Sequence, residues 1–191
     1  MRSAIAVIIL LLASFDIARA DTALDVVAAA RAQVGVTLIY DPSYRQIAYP
    51  MGDVPTERGV CSDVVIRAFR AIGIDLQQEL HRDMKRHFAA YPKNWGLVRP
   101  DRNIDHRRVP NLAAWFKRQG YDLPVSWDAA AYQPGDIVTW ILSGGQPHIG
   151  IVSDRRSDDG ARPLVIHNIG SGAHEDDALF EYRITGHFRA F

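Results

Sequence analysis

The sequence predicts an α+β domain, with helices in its first half and an antiparallel sheet in its second. Two observations predict it. Apolar residues recur at helical spacing up to about residue 120, and from Asp136 onward short apolar runs are separated by turn-forming residues. The composition, 48% apolar and 23% charged, is that of a chain that folds around a core.

Thr22 to Val34 sets Ala and Val among polar residues at helical spacing, and Gly35 can end that helix. Val36 to Tyr40 reads as a short extended piece. Asp41 to Gly59 carries three prolines and two glycines and reads as a loop. Cys61, Val65, Phe69 and Ile72 fall on one face at a 3.6-residue period, so Cys61 to Ile72 reads as a helix that Gly73 breaks. Leu76 to Tyr91 reads as a more charged helix, and Val98 to Val109 as a polar loop. Pro110 to Gln119 is the next helix, with proline near its start and Gly120 after its end. Four strands follow: Asp136 to Leu142, His148 to Ser153, Leu164 to Ile169, and the alternating Phe180 to Thr185. Trp115, Phe116 and Trp140 read as core.

The 22 basic residues are balanced by 22 acidic ones, which argues against a general nucleic-acid binder and against polybasic membrane adhesion. The positive start Met1-Arg2-Ser3, the apolar run Ala4 to Ser14 and the small residues of Ala18-Arg19-Ala20 are the three parts of a secretory signal. Residues 1–20 are therefore expected to be removed, leaving 21–191 as one domain in the periplasm or outside the cell. The apolar run is shorter than the roughly 20 residues a membrane span needs, so no stable membrane insertion is expected after cleavage. No cysteine follows the run, which speaks against a lipoprotein.

The chain has one cysteine, Cys61, and seven histidines. A single cysteine excludes an intrachain disulfide framework. A free cysteine is commonly a small buried hydrophobe. In an exported chain, however, an unpaired thiol risks oxidation, and Cys61 heads a helix whose amides and dipole favour a thiolate. A thiol nucleophile needs a base, and the base an orienting group. His81 and His87 on a charged helix, His106 in a polar loop, His174 among acids and His187 near the end have bland readings. His148 opens an apolar strand and His167 closes one, where an unpaired ring is costly. With an odd-sum pairing of these two strands the rings share a face. A one-residue slip would present Asn168 instead. Cys61, His148 and His167 could alternatively ligate zinc, but no close-spaced ligand pair supports a metal site. No cofactor is expected.

The order Gly59-Val60-Cys61-Ser62-Asp63, Gln133-Pro134-Gly135-Asp136, His148-Ile149-Gly150-Ile151-Val152 and Ile166-His167-Asn168 resembles the NlpC-like cysteine peptidases, a papain-like superfamily of cell-wall enzymes. The runs Tyr49 to Asp63, Asp101 to Asn111 and Val165 to Gly170 more closely resemble the bacterial family called domain of unknown function 1287. The resemblance implies a papain-like α+β fold. It also implies amide hydrolysis with Cys61 as nucleophile, His148 as base and acid, and His167 as orienting residue. Tyr49 or Tyr40 would help hold the oxyanion. Asp63 departs from the glycine usual there, and could touch the site or bond a first-turn amide.

Export points to peptidoglycan stem peptides as substrate. Four arginines between Arg99 and Arg108, Arg102 and Arg107 among them, could clamp their carboxylates, or could be paired within a surface loop. Two rivals stand beside the hydrolase: a non-hydrolytic cell-wall-binding module on the same fold, and a thiol acyltransferase. Oligomeric state is open.

Overall fold

A computed structural model describes residues 21–191. The expected signal peptide lies outside the described residues. The described residues fold as four α-helices and an antiparallel sheet of six strands, with a two-stranded ribbon beside them.

Residues 21–31 form α1, and a turn through the left-handed Gly35 follows it. The ribbon pairs β1 (Ile39–Tyr40) with β2 (Arg58–Gly59) in parallel. α2 (Cys61–Ala71) begins directly after it. The Val60 N–H donates to Asp63 Oδ2 at 2.6 Å, so a carboxylate in the first turn satisfies an amide the helix leaves orphaned. At the other end Gly73 takes a positive φ of 86°, and its N–H donates to the Arg70 carbonyl. α3 (Leu76–His87) is capped by Asp75, whose carboxylate accepts from the Gln77 and Gln78 amides. It stops four residues earlier than its sequence suggests, because Phe88–Ala90 tightens into a 3₁₀ turn. α4 (Val109–Arg118) carries Pro110 in its first turn, where no amide partner is needed.

The sheet runs β3 (Asp122–Leu123), β8 (Arg183–Phe188), β4 (Ile137–Ile141), β5 (Pro147–Arg156), β6 (Pro163–Asn168), β7 (Ala173–Asp176). β4 to β7 form a meander, and β8 returns to pair with β4. The sequence does not announce β7, whose Ala-His-Glu-Asp lacks an apolar alternation, nor the two-residue β3. The last strand starts at Arg183, later than its periodicity suggests. Phe180 and Tyr182 instead belong to a turn that packs on the sheet.

Both faces of the sheet are covered. Ile137, Ile149, Ile151, Ile166 and Phe188 pack against α1, α2 and α4. Val138, Trp140, Val152, Val165 and Ile184 pack on the other face with Tyr132 and Leu179. This is why His148 to Val152 reads as a nearly continuous apolar run: each alternate side chain enters a different core. The segment before α4 is not the solvated loop its polarity suggests. Asp105–Arg107 forms a 3₁₀ turn, and all three of its residues are buried.

Candidate active site

Cys61 is the first residue of α2 and is 4% exposed. Its side chain meets a cavity of about 400 Å³ lined by Tyr40, Tyr44, Val60, Trp95, Arg108 and Pro147, among others. The backbone N–H groups of Ile149, Ser62 and Cys61 itself pull the thiol pKa down. These donors favour a thiolate, as the helix-start argument requires. Burial nevertheless wins and pushes the thiol up to about 12, with Asp63 adding in the same direction. The expectation of a lowered pKa is thus corrected: the resting thiol is protonated, because the amides at a helix start do not offset the loss of water around the sulfur.

On the neighbouring strands His148 Nε2 and His167 Nδ1 are 2.8 Å apart. The register pairs Ile151 with Ile166, which puts even-numbered residues of β5 on the same face as odd-numbered residues of β6. The two rings therefore meet diagonally, next to Trp140, and both are buried. Gly150 leaves room for this. A Cβ there would lie 2.7 Å from Val165 Cγ1 and 3.1 Å from His167 Cβ. His167 Nε2 is in turn 3.4 Å from Asp176 Oδ2 on β7. A carboxylate on that side favours the proton on Nε2 and leaves Nδ1 to accept from His148 Nε2–H. His148 then keeps a lone pair on Nδ1, which has no hydrogen-bond partner among the described residues. Burial, with His167 adding to it, pulls His148 down to about 3, so the ring is neutral at neutral pH. Asn168 points to the opposite face, where its Nδ2 donates to the Gly59 carbonyl at 3.2 Å.

Cys61 and His148 are brought to the same end of β5 but not into a hydrogen bond. The sulfur lies on the helix side against the Ile149 amide, whereas the His148 ring lies on the Trp140 side. The β5–β6 ladder begins only at Ile151–Ile166, so no ladder bond to β6 closes the strand edge at 148–150. Among the described residues no group of three or more His, Cys, Asp or Glu could hold a metal ion.

The proposed substrate contacts separate into different places. Asp63 and Arg107 form a buried bidentate pair, Nε to Oδ1 and Nη2 to Oδ2, both 2.9 Å. Arg107 also donates to the Ser43 and Asp41 carbonyls. These two side chains spend their bonds inside the fold, which corrects their assignment as substrate ligands: Asp63 bonds a first-turn amide and a guanidinium. Tyr40 lines the Cys61 cavity, whereas Tyr49 stacks edge-on against His81, at 5.2 Å, with Arg102 5.6 Å from its ring. Arg102 lines a separate cavity. His106 and His187 are buried as well, at 2% and 1% exposure, contrary to their bland readings. His187 Nε2 is 2.7 Å from Asp136, which Arg189 also grips. Tyr44, Trp95 and Asp176 are site residues the sequence reading did not single out. For Asp176 a signal exists: the Gly-Ser-Gly turn before it implies a hairpin that returns to His167.

The chain belongs to the family described as Domain of unknown function (DUF1287), whose model matches residues 27–190. It is 57% identical over 173 residues to the Uncharacterized protein YijF of Escherichia coli (strain K12), an alignment covering 91% of this chain and 84% of that protein.

Proposed function

We propose that the protein is an exported thiol hydrolase of papain-like, NlpC-like type that cleaves an amide bond in peptidoglycan stem peptides. The observation that carries this reading is the Cys61 thiol, the first residue of α2, set in a cavity of about 400 Å³. The His148–His167–Asp176 line, on the opposite face of β5, supports the reading by leaving the His148 Nδ1 lone pair available.

In this mechanism the substrate displaces water from the cavity and places its carbonyl carbon at Sγ. The thiol proton passes to His148 Nδ1 as the S–C bond forms, and the carbonyl oxygen takes the negative charge. Backbone N–H groups at the start of α2 stabilise that oxyanion, and Tyr40 lines the same cavity. His148 returns the proton to the leaving amine as the C–N bond breaks. Water then hydrolyses the thioester and regenerates the thiol. The transfer requires the start of β5 to rearrange so that the His148 ring reaches the face that carries the sulfur. Catalytic hydrogen bonds commonly tighten only when substrate is bound.

The protonated thiol and the missing Cys61–His148 bond favour one rival, a module that binds the same peptides without cutting them. One experiment separates the two. Intact sacculi and soluble muropeptides are incubated with the protein from Asp21 onward and with its Cys61→Ala variant, and products are resolved by mass spectrometry. New fragments formed only by the unmutated protein are expected, and their masses name the bond. Binding of muropeptides without fragments from either protein sinks the hydrolase reading.

A further inference from the structure

We infer that a second cavity next to the Cys61 cavity is an anion subsite that holds a carboxylate of the substrate away from the reacting amide. This inference rests on the hydrolase reading for its substrate class, but its geometry is independent of it. The second cavity has a volume of about 530 Å³ and shares Tyr44 with the first. Its wall includes Arg99, Arg102, His81, Asp101 and Asn103.

Three features mark it as a place for an anion. The Arg99 and Arg102 side chains, both in the cavity wall, form no ion pair and no hydrogen bond among the described residues, Arg102 meeting only the Tyr49 ring at 5.6 Å. His81, also in the wall, adds no negative charge to it. Asp101, the one carboxylate in the wall, has both oxygens engaged, Oδ2 by the Tyr44 hydroxyl at 3.1 Å and Oδ1 by the Asn103 amide at 2.9 Å. Its charge is outnumbered by the two arginines.

The subsite is held in place before any ligand arrives. Buried Gln77 donates through Nε2 to the Ala48 and Arg102 carbonyls and accepts the Gly52 amide through Oε1. That ties together the two loops on either side of the cavity. Asn103 Nδ2 donates to the Tyr44 hydroxyl at 2.9 Å, which fixes the ring between the two cavities. A peptide running from Cys61 past Tyr44 would meet Arg99 and Arg102. Paired guanidiniums suit a carboxylate through forked hydrogen bonds.

The test is binding, measured by calorimetry with the Cys61→Ala protein so that no turnover intervenes. The probes are a soluble stem tripeptide with free carboxylates and the same tripeptide with its carboxylates converted to carboxamides. The acid form is expected to bind about tenfold tighter, as a charge-assisted hydrogen bond would give. In the Arg99→Gln, Arg102→Gln double variant that preference is expected to vanish, while its melting curve stays that of the parent. Equal affinity for the two forms, a preference that survives the double substitution, or no binding of the acid form each overturn the inference. Turnover by the unmutated protein is followed in parallel. Carboxylate-dependent binding without turnover leaves the subsite standing and removes the hydrolase reading. Turnover without carboxylate dependence does the reverse.

Discussion

Arg107 and Arg108 meet carboxylates inside the fold, whereas Arg99 and Arg102, a few residues earlier on the same segment, meet none. Arg107 is buried against Asp63 with two parallel bonds, and Arg108 pairs with Asp105 at 2.9 Å while lying 4.2 Å from the Trp95 ring. The two earlier arginines are exposed at the rim of a cavity. Identical side chains fewer than ten residues apart thus do opposite jobs. Arg107 locks a polar segment onto the start of α2, and Arg108 braces that segment through Asp105. The earlier pair keeps its hydrogen-bonding capacity for something outside the chain. The difference lies in what the tertiary fold brings opposite each guanidinium, and local sequence does not show it.

The largest expected effect tests the buried half of this comparison. Arg107→Ala strands the Asp63 carboxylate without its cation, and removing one partner of a buried pair costs about 3–5 kcal/mol. Urea unfolding of the variant should show that loss, and Arg107→Lys should recover only part of it because it cannot form the fork. A loss below about 1 kcal/mol would break the distinction between the two pairs.

A second, smaller effect appears in acid. His106 adjoins Arg107, and burial, helped by that cation, pulls its pKa down to about 3. His148 is likewise pulled down to about 3. Between pH 6.5 and 3 the unfolded chain therefore binds protons that the folded one refuses, so stability falls as pH falls through that window and is flat above it. From pH 7 to 4.5 each ring should contribute a loss on the order of 2 kcal/mol. His106→Asn should make the slope of the urea midpoint against pH shallower, and an unchanged slope would show that this ring titrates normally. The smallest effect belongs to the exposed pair. Arg99→Gln and Arg102→Gln should leave unfolding stability within about 0.5 kcal/mol of the parent. A larger loss from either would mean that it has a structural partner after all.

The helices and the meander were legible because their signals are local. The period of Cys61 to Ile72, the proline near the start of α4 and the turn before His148 each lie within a few residues of the element they define. The face shared by His148 and His167 was legible too, given an odd-sum pairing, since strand alternation leaves only two choices. β7 and β3 were not, because a polar four-residue strand and a two-residue strand exist only through the neighbours they pair with. The burial of Asp105, His106 and Arg107 was hidden for the same reason. Polar residues look solvated until a distant partner such as Asp63 is supplied.

By itself the sequence determined the helix-then-strand order, the lone thiol at a helix start and the family to which the chain belongs. Those follow from periodicity, residue type and short motifs. Only the tertiary structure decided that the thiol is protonated at rest, that Asp176 stands behind His167, and which arginines are free. The physical reason is that desolvation and charge pairing depend on atoms far apart in the chain, and only the folded packing sets those distances.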